Sequence, residues 1–299
     1  MDIDILDNPS LSLYNDIQND AESVKLSPLT QYINTINQLI VKSGIDSHTD
    51  KEHLFFRGQA NKNWNVSPSI FRDGQLSLEH KYIRSAISRL PDEFSGSVTA
   101  FNRLTKLQHY GLPTRLLDVT LNPLVALYFA CQECKLDKPN KDQLADSNSD
   151  GAVYIAYANP GLPESVGTQI LSNIASFDLS QMTLKKLWGK LCSFFIGIVQ
   201  PNEETIIKKI QEYTRSHFVL SDLSNERLIR QSGAFLVCGC INITVQDNAM
   251  ESFVSKAARD MKSEFSIKIT IDADEKDEIL DELDFYNINE ATLFPETEH

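Results

Sequence analysis

Apolar residues recur at helical spacing after Ser27-Pro28, where Leu29, Tyr32, Ile33, Ile36, Leu39 and Ile40 share one face and Gly44 closes the run. Ser27 reads as a cap, with proline in the first helical turn. Residues 1–26 are polar and weakly patterned, an arm rather than an element. Leu54, Phe55 and Phe56 make residues 53–58 a strand that runs into Arg57-Gly58. Residues 64–71, with Pro68 inside them, read as irregular. Two helices follow at about 77–90 and 97–108, then a turn region at 111–120. Asn122-Pro123 opens a helix to about Cys134, with Leu124, Leu127, Tyr128 and Cys131 on one face.

The polar stretch 136–150 reads as an exposed loop. Strands are predicted at 153–157, 194–199, about 234–245 and 266–271, and helices at 204–217 and 249–261. Residues 272–284 form an acidic amphipathic helix with Ile279, Leu280 and Leu283 inward. No internal repeat appears and no linker divides the chain. The pattern predicts a single mixed α+β domain with an N-terminal helical extension. The division is residues 1–49 for the arm and first helix, and 50–299 for the main domain with its acidic C-terminal helix.

Composition narrows this picture. The chain has 299 residues, and with 41% hydrophobic content it can bury a large core. The net charge of −13 is uneven: residues 272–299 hold 11 acidic groups and one lysine, while the other 271 residues carry 27 basic and 30 acidic groups. A near-neutral body argues against a general nucleic-acid binder, which would show a basic face. Lys185, Lys186 and Lys190, or Lys208, Lys209 and Arg215, read as solvated helix faces. The acidic end could dock a basic partner or be a solvated terminal helix. The first residues are acidic and lack a signal-peptide pattern, and no apolar run is long enough to cross a bilayer, so the expectation is a cytoplasmic protein without a membrane partner. The five cysteines, Cys131, Cys134, Cys192, Cys238 and Cys240, read as reduced thiols. Cys131 and Cys134 with Cys238 and Cys240 have imperfect zinc spacing, and Cys131 falls on a buried helix, so no metal is expected.

Three separated segments carry more polar chemistry than a core needs. The first is Phe56-Arg57-Gly58-Gln59. The second is Gln108-His109-Tyr110-Gly111-Leu112-Pro113-Thr114-Arg115-Leu116-Leu117-Asp118. The third is Asn225-Glu226-Arg227-Leu228-Ile229-Arg230-Gln231-Ser232-Gly233-Ala234-Phe235. Each sets Arg beside Gly and Gln among residues that ought to be buried. A buried guanidinium is costly unless an anion or carbonyls answer its donors, so the three segments predict one polar pocket. Gly58 would leave the backbone open to a ligand, and the planar fork of Arg57 suits phosphate or carboxylate. Alternatively Arg57 ties strand to loop, Arg115 pairs with Asp118, Asp118 or Thr120 caps a helix, and Arg230 is a solvent-facing helix end. There is no glycine-rich phosphate loop, no His-Glu-x-x-His and no Gly-x-Ser-x-Gly.

In this order the three segments resemble the FRG domain, named for its Phe-Arg-Gly motif. Its members show an aromatic-Arg-Gly-Gln strand end, a segment like 108–118 and an Arg-x-x-x-Gln-x-Gly-x-Phe segment, matched here by Arg227, Gln231, Gly233 and Phe235. Ile288-Asn289-Glu290-Ala291-Thr292-Leu293-Phe294-Pro295 resembles the end of the domain. One departure is Gln231-Ser232-Gly233, where Gln-Gln-Gly is usual. The resemblance covers about residues 50–296. It implies a relative of the ADP-ribosyltransferases, with a split antiparallel or mixed sheet. It implies NAD as substrate, an RNA or protein acceptor, and a toxin in an antiphage or toxin–antitoxin system, held by an antitoxin or chaperone partner. The alternative is a non-catalytic module that senses a nucleotide. Under the first reading Arg57, with Gly58 and Gln59, holds the phosphates. Tyr110 stacks on nicotinamide and His109 bonds a ribose hydroxyl. Thr114, Arg115, Arg227 and Gln231 line the pocket. Glu226 is the first candidate for the catalytic carboxylate, with Asp118, Glu264 and Glu290 behind it.

Overall fold

The computed structural model describes residues 2–5, 26–43, 53–96, 99–134, 149–178, 183–194, 203–221, 226–239 and 260–295. In chain order the elements are β1 (Ile3–Ile5), α1 (Pro28–Ser43), β2 (His53–Gln59), a 3-10 segment (Ser69–Leu78), α2 (Glu79–Arg89), α3 (Pro91–Ser95) and α4 (Ala100–His109). Then come β3 (Leu116–Thr120), α5 (Pro123–Cys131), β4 (Gly151–Ala158), α6 (Val166–Ile174), α7 (Leu184–Phe194), α8 (Glu203–Tyr213) and β5 (His217–Leu220). The last are α9 (Glu226–Arg230), β6 (Gly233–Val237), β7 (Ile267–Ile271), α10 (Lys276–Phe285) and α11 (Glu290–Leu293). Among the described residues no helix is long and apolar enough to cross a membrane.

The strands form one antiparallel sheet in the order β1-β7-β4-β2-β3-β6-β5, which makes the fold α+β. Side chains alternate across it. Phe55, Leu117, Val119, Tyr154 and Leu236 face one core, which we call the inner face, with Trp188, Ile210 and Phe265 packed on them. The opposite face carries two helical layers. α5, α1 and α10 cover β2, β4 and β7 through Val125, Leu127, Tyr32 and Ile279. α4 and α2 cover β3, β6 and β5 through Phe101, Leu104 and Ile83. α5 is apolar all round because it lies between the sheet and two helices. Pro123 occupies its first turn, and the Asn122 side chain accepts the Leu124 N–H at 2.9 Å. Its close approach requires Gly58 and Gly151: a Cβ at Gly58 would lie 1.9 Å from the Ala126 carbonyl oxygen, and one at Gly151 2.2 Å from that of Ala130.

The sheet is joined unevenly. β2 pairs with β4 over seven residues, from His53 with Ala158 to Gln59 with Ala152. It pairs with β3 at Phe56 and Thr120 alone. β3 is then fully paired with β6, from Leu116 with Val237 to Thr120 with Gly233. The strands remain one sheet, joined at this point by one residue pair.

Several boundaries differ from the sequence expectation. Residues 116–120, expected in a turn region, are the strand β3 at the centre of the sheet. Leu116, Leu117, Val119 and Thr120 are buried and Asp118 alone is not, so no two-residue alternation marks the strand. Ile3–Ile5, expected in the arm, pairs with β7 as an edge strand. Phe194 ends α7 rather than opening a strand, and 195–199 lie outside the described residues. Among the described residues every strand pair is antiparallel, and the one parallel contact is the bridge between Gly161 and Val219. α8 stops at Tyr213, short of the expected 217, and His217 begins β5. Most of the expected loop at 136–150, the end of the strand at 240–245, Cys240 and nearly all of the helix at 249–261 lie outside the described residues.

Candidate functional site

The gap between β2 and β3 leaves main-chain groups without ladder partners, and side chains take their place. Arg57 Nη1 donates to the Asp118 carbonyl across the gap at 2.6 Å. The Asp118 side chain lies on the face of Leu116, opposite Leu117 and Val119, and is exposed. Gln108, at the end of α4, donates from Nε2 to Asp118 Oδ1 at 2.8 Å. The Thr114 hydroxyl donates to Gln108 Oε1, which fixes the amide with its NH2 toward the carboxylate.

The third segment and the chain end complete the wall. The Thr120 hydroxyl donates to the Gln231 carbonyl at 2.6 Å, and Gln231 Nε2 donates to the Leu293 carbonyl at 3.1 Å. The Arg227 guanidinium lies 4.8 Å from the centre of the Phe294 ring. Phe294 in turn meets Phe129 of α5 edge-on at 6.1 Å. The three sequence segments and residues 288–295 therefore converge, as the sequence predicted of the three segments.

Electrostatics concentrate at Asp118. Its side chain is open to solvent yet walled by protein. The shortage of water pushes the carboxyl above its usual range, while Arg57, Arg227 and the Gln108 hydrogen bond pull it back. Its openness limits the rise. Burial lowers the Arg57 pKa, with Asp118 opposing and the nearby Arg72 adding to the drop. A guanidinium starts so high that Arg57 stays charged.

The other expected residues fall elsewhere. Gly58 is packed under α5 and offers no open backbone. Gln59 is buried on the inner face, with Nε2 donating to the Asn65 carbonyl at 3.2 Å. Thr114 and Arg115 are buried. Arg115 does not pair with Asp118 but forks onto Glu79: Nε donates to Oε1 at 2.9 Å and Nη2 to Oε2. Tyr110 is exposed at the end of α4, where a hydrogen bond to Glu93 raises its pKa, and its ring meets Phe94 at 6.4 Å and His109 at 6.0 Å. His109 is exposed beside it. Glu226 is exposed on α9 and pairs with Arg230 at 3.0 Å. Glu264 is a partly buried residue whose carboxyl pKa is raised by burial, and Glu290 is exposed at the start of α11. Among the described residues no cluster of His, Cys, Asp or Glu could hold a metal.

Sequence reasoning missed Tyr154, which lies opposite Arg57 in the β2–β4 register, and Arg72, whose charge acts on Arg57. The strand register that would have exposed Tyr154 is a long-range property. Arg72 follows Ile70 and Phe71 without motif or spacing.

A family model described as the FRG domain matches residues 52–139. This stretch includes Phe56-Arg57-Gly58-Gln59 and 108–118; the third segment and 288–295 lie beyond it. No curated protein and no solved structure matches the chain.

Proposed function

Residues 52–139 are an FRG domain, and from that premise we propose that the seam between β2 and β3 binds NAD and that the chain transfers its ADP-ribose to an RNA or protein acceptor. One observation carries this reading. The side chains of Asp118, Arg57, Gln108 and Arg227 gather where the sheet opens. Arg57 reaches through the gap to the Asp118 carbonyl and Arg227 adds a second cation beside Asp118, so the residues fit a diphosphate. In the transfer, the bond from ribose C1′ to the nicotinamide nitrogen breaks and nicotinamide leaves with the electron pair. The acceptor oxygen or nitrogen bonds to C1′ and gives up its proton. We assign that proton, and the stabilisation of positive charge at C1′, to Asp118 rather than Glu226. Glu226 is exposed and paired with Arg230, whereas Gln108 and Thr114 orient Asp118.

The place of the activity in a bacterial antiphage or toxin–antitoxin system, with an antitoxin or chaperone as partner, rests on the sequence resemblance. One observation favours a second reading, a nucleotide-sensing module. Asp118 already answers two arginines and an amide, a set that also describes a structural carboxylate. The test is nicotinamide release by purified protein with total cellular RNA and protein as acceptors, beside NAD binding by calorimetry. For a transferase, Asp118→Asn lowers release by about a hundredfold or more while NAD still binds, and Arg57→Ala weakens binding. Saturable binding without release establishes the sensor. No NAD binding by folded protein overturns both readings.

A further inference from the structure

The inner face of the sheet, opposite Asp118, holds buried polar atoms that the protein leaves unanswered. Arg57 and Tyr154 are directly paired across β2 and β4, and Gln59 follows two residues on along the same face. Tyr154 is fully buried and its hydroxyl has no hydrogen-bond partner. Arg57 Nε and Gln59 Oε1 are also buried without partners. A buried hydroxyl without a partner costs about 1–3 kcal/mol, and the two unanswered donors, Arg57 Nε and the Tyr154 hydroxyl, belong to directly paired residues, while Gln59 Oε1 is an acceptor that an anion would not meet.

Arginines and carboxylates both act on this place. Arg72, from the 3-10 segment, is near enough to act on Arg57 as a like charge. Its Nη2 donates to the Ser67 carbonyl at 3.2 Å, and its side chain is exposed. Among the described residues neither guanidinium makes an ion pair. Three carboxylates act here, and each has a partner: Asp4, whose charge also reaches Tyr154, pairs with Lys268 Nζ at 3.9 Å. Asp118 is on the far face of the sheet. Asp260, whose charge reaches Tyr154, accepts the N–H of Val66 at 3.2 Å and of Lys262 at 3.1 Å and pairs with Lys262 Nζ at 3.4 Å. Two neighbouring guanidiniums, an unanswered N–H and an unanswered phenol are the donor set of an oxyanion site.

We propose that Arg57, Arg72 and Tyr154 form an oxyanion subsite on the inner face of the sheet that takes a phosphate or diphosphate group. Arg57 Nε and the Tyr154 hydroxyl donate to one phosphoryl unit, and Arg72 meets its charge from the solvent side. The subsite uses Arg57, as the NAD reading does, but does not require turnover. It needs neither Asp118 nor a nicotinamide.

The test is calorimetric titration of the full chain with inorganic pyrophosphate at low salt, in wild type, Tyr154→Phe, Arg72→Gln and Asp118→Asn. Tyr154→Phe keeps the ring and removes only the hydroxyl, so the unliganded variant should melt at or above the wild-type temperature. The subsite requires that Tyr154→Phe and Arg72→Gln each weaken pyrophosphate binding about tenfold or more, and that Asp118→Asn leave it equal or tighter. Equal binding in wild type and Tyr154→Phe overturns the proposal. So does loss in Asp118→Asn alone, which moves the anion to the other face, and so does absence of binding by folded wild type, which leaves the buried atoms to water. Pyrophosphate binding without nicotinamide release would refute the transferase and keep the subsite.

Discussion

Arg115 has two competing assignments, and a double substitution separates them. The sequence reading places it on the nucleotide; the structure forks it onto Glu79, with the Arg115 side chain fully buried and that of Glu79 only 4% exposed. Arg115→Met keeps the length of the side chain and strands a carboxylate in the interior. Breaking a buried pair from one side costs about 3–5 kcal/mol. A loss of that size in a chain of this length lowers the melting temperature by about 10 °C. Adding Glu79→Leu removes the stranded charge and should recover most of the loss. Urea unfolding at pH 7 is the assay, with the single variant destabilised and the double variant close to the wild type. If Arg115→Met melts like the wild type yet no longer binds NAD, the structural assignment is refuted.

Gly58→Ala should destabilise by about 3 kcal/mol or more, because its Cβ would lie 1.9 Å from the Ala126 carbonyl oxygen and 2.8 Å from the Ala130 nitrogen, backbone that cannot swing away. Thermal melting checks it, and a wild-type melting temperature would show that α5 does not rest on β2. His217 Nδ1 donates to the Arg215 carbonyl at 3.1 Å, which leaves Nε2 of the neutral ring to accept from the Thr168 hydroxyl at 3.0 Å, and burial depresses its pKa below 6.5. Its stabilisation is therefore complete above pH about 6.5 and lost as pH falls through the lower folded value. His217→Gln should flatten urea stability over that acid window, and an unchanged slope would assign the pH dependence to other groups.

The legible parts of the fold were those with short-range causes. α1, α5 and α10 show helical spacing or caps, and β2, β4 and β7 are apolar runs with clear ends. The convergence of three motifs was legible because Arg, Gly and Gln recur where burial is expected. β3 was not, because Asp118 interrupts a strand otherwise buried on both faces, and Pro113 and Gly111 just before it read as turn. The roles within the motifs were equally hidden. In a motif of eleven residues, Gln108 meets Asp118, Thr114 braces Gln108, Arg115 turns inward to Glu79, and Tyr110 points to Glu93. Spacing fixes the backbone and says little about which partner each side chain finds 30 or 40 residues away. Glu226 reads as the first catalytic candidate because it lies near a late strand, although Asp118 is better placed in the family pattern; the helix of Glu226 turns it to solvent.

The seam also couples its two faces. Beyond Phe56 and Thr120 the sheet gives up ladder hydrogen bonds, and the Asp118 carbonyl would lack a donor had Arg57 not supplied one. The same guanidinium lowers the pKa of the Asp118 carboxyl from within the gap. An oxyanion on the inner face would neutralise part of that positive field, so Asp118 should bind its proton more tightly once the subsite is filled. Thermodynamic reciprocity requires the converse: pyrophosphate should bind more tightly as pH falls through the Asp118 titration. Carbon-13 shifts of the Asp118 carboxyl, followed against pH with and without pyrophosphate, measure the effect directly. An upward displacement that disappears in Tyr154→Phe would show that one arginine carries the signal across the sheet. A titration unmoved by bound pyrophosphate would show that the faces act independently, and that the Arg57 contact to the Asp118 carbonyl is a strand tie and nothing more.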